Sequence, residues 1–138
     1  MPLDPSTFSQ LSLLARTIWG EARSEGQHGM EAVAAVIMNR VRHPHRWGNS
    51  VAEVCLQPRQ FSCWNADDPN RKKLFLVSHA QPSFRLAWEI ADRAIHDELE
   101  DPTGGADHYH EESVNPSWAR GQTPIVRIGQ HVFYKLAE

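Results

Sequence analysis

Residues 30–41 constrain the fold more than any other stretch. Only Glu31, Asn39 and Arg40 interrupt a run of apolar side chains there. Met30, Val33, Ala34, Ile37 and Val41 recur at helical spacing and share one face. Ala32, Ala35 and Val36 make the other side apolar too. A helix that is apolar all round is a buried helix. The pattern therefore predicts a central helix over about 30–41, stopped by Pro44.

A chain of 138 residues is long enough to enclose such a helix in one domain over residues 1–138. It needs no metal, disulfide or other cofactor merely to fold. Hydrophobic residues at 41% and charged residues at 22% exclude disorder, a coiled coil and a collagen-like repeat. A net charge of −3 leaves no global footprint for nucleic acid. No apolar run approaches the ~18 residues of a membrane span. Met1-Pro2-Leu3-Asp4-Pro5 lacks the basic and apolar regions of a signal peptide. Cys55 and Cys63 make no disulfide framework.

Leu11, Leu14, Ala15, Ile18 and Ala22 lie on one face of a first helix, with Ser6 as its N-cap. Gly26 and Gly29 then break the chain. A short helix is expected over 50–56, a strand over 60–64, and a polar loop over 65–69. Ser83 caps a long helix carrying Phe84, Ala87, Trp88, Ala91 and Ile95 on one face. Asp101-Pro102-Thr103-Gly104-Gly105 is turn chemistry. Residues 106–110 and 126–134 are strand material, with a bend at Gly129. The fold class is α+β, mainly helical with a small antiparallel sheet.

Three groups carry candidate chemistry. Glu21 lies about 60° from the centre of the first helix's apolar face, in its last turn. Partial burial and the negative helix end both disfavour its ionisation. A carboxyl kept protonated near neutral pH suits a general acid; the bland alternative is an exposed Glu at a frayed end. Glu25, four residues on, is a second acid, a substrate contact or a loop hydrogen-bond acceptor. In a strand over 60–64, Gln60, Ser62 and Trp64 would share a face fit for a sugar, or the segment is an ordinary half-buried strand. His108 and His110 would share a strand face that His131 could join as an open zinc site. The helical H-E-x-x-H spacing is absent, so surface histidines and no bound metal are the expectation.

These pieces, in this order, resemble the SleB/CwlJ-type cell wall hydrolase family of spore cortex-lytic enzymes. The matching segments are Leu14-Ala15-Arg16-Thr17-Ile18-Trp19-Gly20-Glu21-Ala22-Arg23 and Gly29-Met30-Glu31-Ala32-Val33-Ala34-Ala35-Val36-Ile37-Met38-Asn39-Arg40-Val41. Gln60-Phe61-Ser62, Asp101-Pro102-Thr103-Gly104-Gly105-Ala106 and Ile128-Gly129-Gln130-His131-Val132-Phe133-Tyr134 follow. The resemblance covers about residues 11–135.

It implies a lysozyme-like domain acting on peptidoglycan glycan strands. Such a lytic transglycosylase cuts the β-1,4 bond between N-acetylmuramic acid and N-acetylglucosamine and leaves a 1,6-anhydro end. The family's catalytic acid falls on Glu21. Gln60, Ser62 and Tyr109 are then expected in the cleft, with Trp64 and Trp118 as stacking surfaces. His108-Tyr109-His110 departs from the more aromatic stretch of the spore enzymes. With no recognised signal or wall-binding segment, the expectation is a monomeric phage or prophage endolysin. It would be made in the cytoplasm and released to the wall with a holin. Two rivals remain: a zinc amidase or peptidase on His108, His110 and His131, and an inactive glycan-binding module.

Overall fold

The computed structural model describes residues 3–43, 46–58 and 60–137. Among them, five helices precede the sheet: α1 (Gln10–Ala22), α2 (Gly26–Val41), α3 (Val51–Leu56), α4 (Arg71–Leu76) and α5 (Pro82–Ile95). The strands are β1 (His108–Glu111), β2 (Val126–Ile128) and β3 (His131–Tyr134), antiparallel in the order β1-β3-β2. The expected α+β class holds. The expected stop at Pro44 lies outside the described residues.

α2 is the central helix, and its two apolar sides serve two cores. Met30, Val33, Ala34 and Ile37 pack with Leu14 and Ile18 of α1 and with Phe84 and Ile90 of α5. Ala32 and Val36 face the other way, against Ala106, Ile128 and Phe133 beneath the sheet. Burying one such large side chain stabilises by about 1.5–3 kcal/mol. Rotating α2 would expose one set or the other, so the helix fixes the sheet against the helical bundle.

Several local expectations shift. α1 is capped by Ser9, whose Oγ accepts from the Ser12 N–H at 3.1 Å. Ser6 sits instead in a short 3-10 turn, Pro5–Thr7, capped by Asp4. Gly26, at φ +73°, turns the chain between α1 and α2. Gly29 is no break: it lies inside α2, where a Cβ would collide with the Glu25 side chain. Its glycine identity answers a close approach, which a breaker rule cannot distinguish. Ser83 does not cap α5, which begins with Pro82 after Gln81. The Ser83 hydroxyl accepts from Trp19 Nε1 at 2.9 Å.

Residues 60–64 form no strand. Ser62–Trp64 is a 3-10 turn that sends Phe61, Cys63 and Trp64 inward together. Long-range partners decide this: Trp64 Nε1 donates to Thr17 Oγ1 on α1 at 2.8 Å, and its ring meets Phe75 edge-on. Residues 126–134 are a hairpin, not one bent strand. Gly129, at φ +58°, makes its turn, a left-handed conformation that favours glycine.

Polar anchors, some of them buried, hold the sheet to the helices. Arg40 Nε donates to the Asp107 carbonyl at 2.8 Å, and Nη1 donates to Gln60 Oε1 at 3.1 Å. Asn39 Nδ2 donates to Asp101 Oδ2 and to the Ala106 carbonyl, both at 2.9 Å. Asp101 also accepts from the Thr103 and Gly105 amides, closing its turn. The buried Asp107 carboxylate accepts from the Leu136 and Ala137 amides and pairs with His108. Burial alone would raise the pKa of Asp107, but those hydrogen bonds outweigh it and hold it below the ordinary value.

Candidate active site

The last turn of α1 carries Gly20 and Glu21 into a cleft of about 440 Å³. The turn after Phe61 brings Ser62 and Cys63 to the same cleft, and the following loop brings Asp68 and Asn70. The sheet contributes Tyr109, His110, Glu111 and His131, and Val114 closes one side.

Strand register explains the sheet's contribution. Tyr109 lies opposite Phe133 and Glu111 opposite His131. Alternation puts these four on the face covered by α2. Their rings confirm it, with Tyr109 5.1 Å from His131 and 5.6 Å from Phe133. His108 and His110 belong to the opposite face, where His110 stacks on Tyr134. The rival zinc reading needs His108, His110 and His131 together, and the strand geometry sends the first two away from the third. His108 Nδ1 is taken by Asp107 Oδ1 at 2.8 Å. The two ring nitrogens of His110 lie within hydrogen-bonding distance of the Glu111 carbonyl and the Tyr134 hydroxyl.

Glu21 sits at the base of the cleft. The Tyr109 hydroxyl donates to its Oε1 at 2.6 Å. Burial raises the pKa of Glu21 above the ordinary 4.5, while Tyr109, Cys63 and the charge of His131 pull the other way. Burial wins, so the carboxyl keeps its proton to higher pH than a surface Glu. Burial and the same carboxylate push Tyr109 well above its usual value, so the phenol stays a donor. Cys55 and Cys63 are free and buried, and burial pushes Cys55 up to about 12 and Cys63 upward as well.

Neighbouring anchors hold the cleft walls. Arg23 Nη2 donates to Asn70 Oδ1 at 2.8 Å, and its guanidinium lies 4.2 Å from the centre of the Trp19 ring. Arg71 Nε donates to the Trp64 carbonyl at 3.1 Å.

The sequence-derived site residues divide. Glu21, Ser62 and Tyr109 meet in the cleft. Gln60 does not line it; its Oε1 serves the buried Arg40. Trp64 does not line it either and offers no stacking face: it is 8% exposed in the helical core. Trp118, 36% exposed, lies outside the cleft on the far side of the sheet, against His108, His110 and Tyr134. Glu25 lies under the β2–β3 turn, where Oε1 accepts from the Gln130 N–H at 3.2 Å. Sequence reasoning missed Asp68, Asn70, Glu111 and Val114. The Arg23–Asn70 contact joins residues far apart in the chain, so local spacing carries no trace of it.

The profile of the cell wall hydrolase family matches residues 24–134, starting just beyond Glu21. The spore cortex-lytic enzyme of Bacillus subtilis is 35% identical over 134 residues, 94% of this chain and 39% of that protein. The spore cortex-lytic enzyme of Halalkalibacterium halodurans is 33% identical over 134 residues, 94% of this chain and 36% of that protein. The chain thus spans less than half the length of these relatives. The crystal structure of the catalytic domain of the Bacillus cereus SleB protein superposes with a TM-score of 0.74 at 31% identity, covering 91% of this chain and 89% of that one. The catalytic domain of a germination-specific lytic transglycosylase, SleB from Bacillus anthracis, gives a TM-score of 0.73 at 30% identity, covering 96% of this chain and all of that one. With the profile spanning most of its length and relatives aligned over almost all of this chain, it belongs to the cell wall hydrolase family.

Proposed function

We propose that this chain is a peptidoglycan lytic transglycosylase that uses Glu21 as both general acid and general base. The observation that carries it is the Glu21 carboxyl, half-buried in the cleft, held by Tyr109 and biased towards its protonated form. Protonated Glu21 gives its proton to the glycosidic oxygen between N-acetylmuramic acid and N-acetylglucosamine as the bond from that oxygen to C1 breaks. The Glu21 carboxylate then takes the proton of the muramoyl 6-hydroxyl while O6 bonds to C1. Glu21 ends protonated again, and no water is consumed.

Ser62, Asn70 and Tyr109 are the sugar-contacting groups of this reading. Trp118 is an outer stacking surface for a strand that leaves the cleft across His110, which borders both regions. The relatives' descriptions as spore cortex-lytic enzyme and lytic transglycosylase support the same activity.

Mass spectrometry of digested sacculi tests it. The expected products carry anhydro ends, one water lighter than hydrolysed ends. Fully hydrated products would instead mean a water nucleophile and a second carboxylate, for which Asp68 and Glu111 line the same cleft.

A further inference from the structure

Behind Glu21 lies a second acid that the proposed reaction leaves unused. Glu25 accepts from the Gln130 amide, and its Oε2 lies so close to Gly129 that a Cβ there would stand 2.5 Å from it. Its Oε1 stands 3.9 Å from Nδ1 of His131. His131 is 4% exposed, and its Nδ1 is buried without a hydrogen-bond partner. A buried polar atom left without a hydrogen-bond partner carries a desolvation cost. The same ring packs on Tyr109, which donates to Glu21, and His131 and Glu21 line one cleft.

We propose that Glu25 and His131 form a carboxylate–imidazole pair that supports Glu21 in the base half of the reaction, His131 acting as a positioning residue. In the acid half Glu21 needs its proton, and burial provides for that. In the base half the same buried group must exist as a carboxylate. The His131 ring, backed by Glu25, packs against the Tyr109 ring and holds it in line for its hydrogen bond to that carboxylate. Among the described residues, Glu25 from the turn before α2 and Tyr109 and Glu111 from β1 face His131, and Glu21 from α1 and Cys63 line the same cleft; β2 places apolar Ile128 opposite it.

The proposal rests on Glu21 being the acid–base group, and its test reads the free protein as well as turnover. The Glu21 carboxyl is titrated by carbon NMR in the wild type and in His131→Gln, and the pH profile of kcat/KM is measured for both. Loss of the His131 ring should loosen the Tyr109 hydrogen bond, which lowers the Glu21 pKa, and so raise the Glu21 midpoint by about half a pH unit or more. The alkaline limb of the profile should move up by the same amount, and kcat should fall more than KM changes. If His131→Gln melts far below the wild type, His131→Asn supplies the same comparison. A folded variant whose Glu21 midpoint and alkaline limb stay in place overturns the proposal, because a purely structural His131 would lower the rate without moving either. The NMR midpoint responds whether or not the chain cleaves glycan, so failure of the proposed activity is separately visible in the products.

Discussion

The Tyr109 hydroxyl donates a 2.6 Å hydrogen bond to Glu21 Oε1, joining the first strand of the sheet to the last turn of α1. Tyr109→Phe removes that donor and leaves the ring packing. A hydrogen bond to a charged group contributes about 1.5–3 kcal/mol. The rate on sacculi should fall about 10–100-fold, and the alkaline limb of the pH profile should rise, since Tyr109 lowers the Glu21 pKa. A profile that moves down would contradict this assignment.

Glu21 also leaves a mark on stability. Its native pKa is raised above the ordinary 4.5, so the native state holds the proton more tightly than the unfolded chain. Stability from this group is full below about pH 4.5 and is lost as pH rises through the native value. Glu21→Gln carries no such proton. Denaturant unfolding at a series of pH values should show the variant gaining on the wild type as pH rises. A constant difference across the series would show that Glu21 is not effectively buried.

Trp64 belongs to the core. Trp64→Ala should cost about 3–5 kcal/mol by denaturant unfolding. Trp64→Phe keeps much of the volume but loses the bond to Thr17, so the loss should be near 1 kcal/mol. Neither should change KM on glycan beyond what unfolding explains; a large KM effect in well-folded Trp64→Phe would place the ring in substrate contact.

Gly129 is fixed by its backbone and by Glu25. An alanine there would hold φ near +58° with its Cβ 2.5 Å from Glu25 Oε2. Gly129→Ala should destabilise by about 1–3 kcal/mol. A melt unchanged from the wild type would mean that the β2–β3 turn has another conformation.

Both thiols are buried with raised pKa values, which disfavours the reactive thiolate. Ellman's reagent should label Cys55 and Cys63 rapidly only after unfolding, and a reductant should leave the melting midpoint in place. Fast labelling of the native chain would show that the cleft opens around Cys63.

How far the sequence speaks depends on how local each signal is. The two-sided apolar pattern of α2 carries both the helix and its central position, because burial on two faces is written into one segment. Glu21 is legible for the same reason: its angle from the α1 apolar stripe and its place in the last turn are local facts. The 60–64 segment is not, because alternation of side chains mimics a strand while Thr17, distant in sequence, draws Trp64 inward. α4 is only six residues long and shows too little periodicity to predict. Asp68 and Asn70 look like loop filler until Arg23 and the cleft give them neighbours.

The most direct measurement is the rate of Glu21→Gln on purified sacculi, followed by turbidity beside Glu25→Gln, with a thermal melt of each. Glutamine keeps the size of Glu21 but has no proton to give or take back. Glu21→Gln should be folded and slower by about 10²–10⁴-fold. Glu25→Gln, which keeps its acceptor oxygen for the Gln130 amide, should lose much less. A folded Glu21→Gln within tenfold of the wild-type rate, or a dead Glu25→Gln beside an active Glu21→Gln, would contradict it.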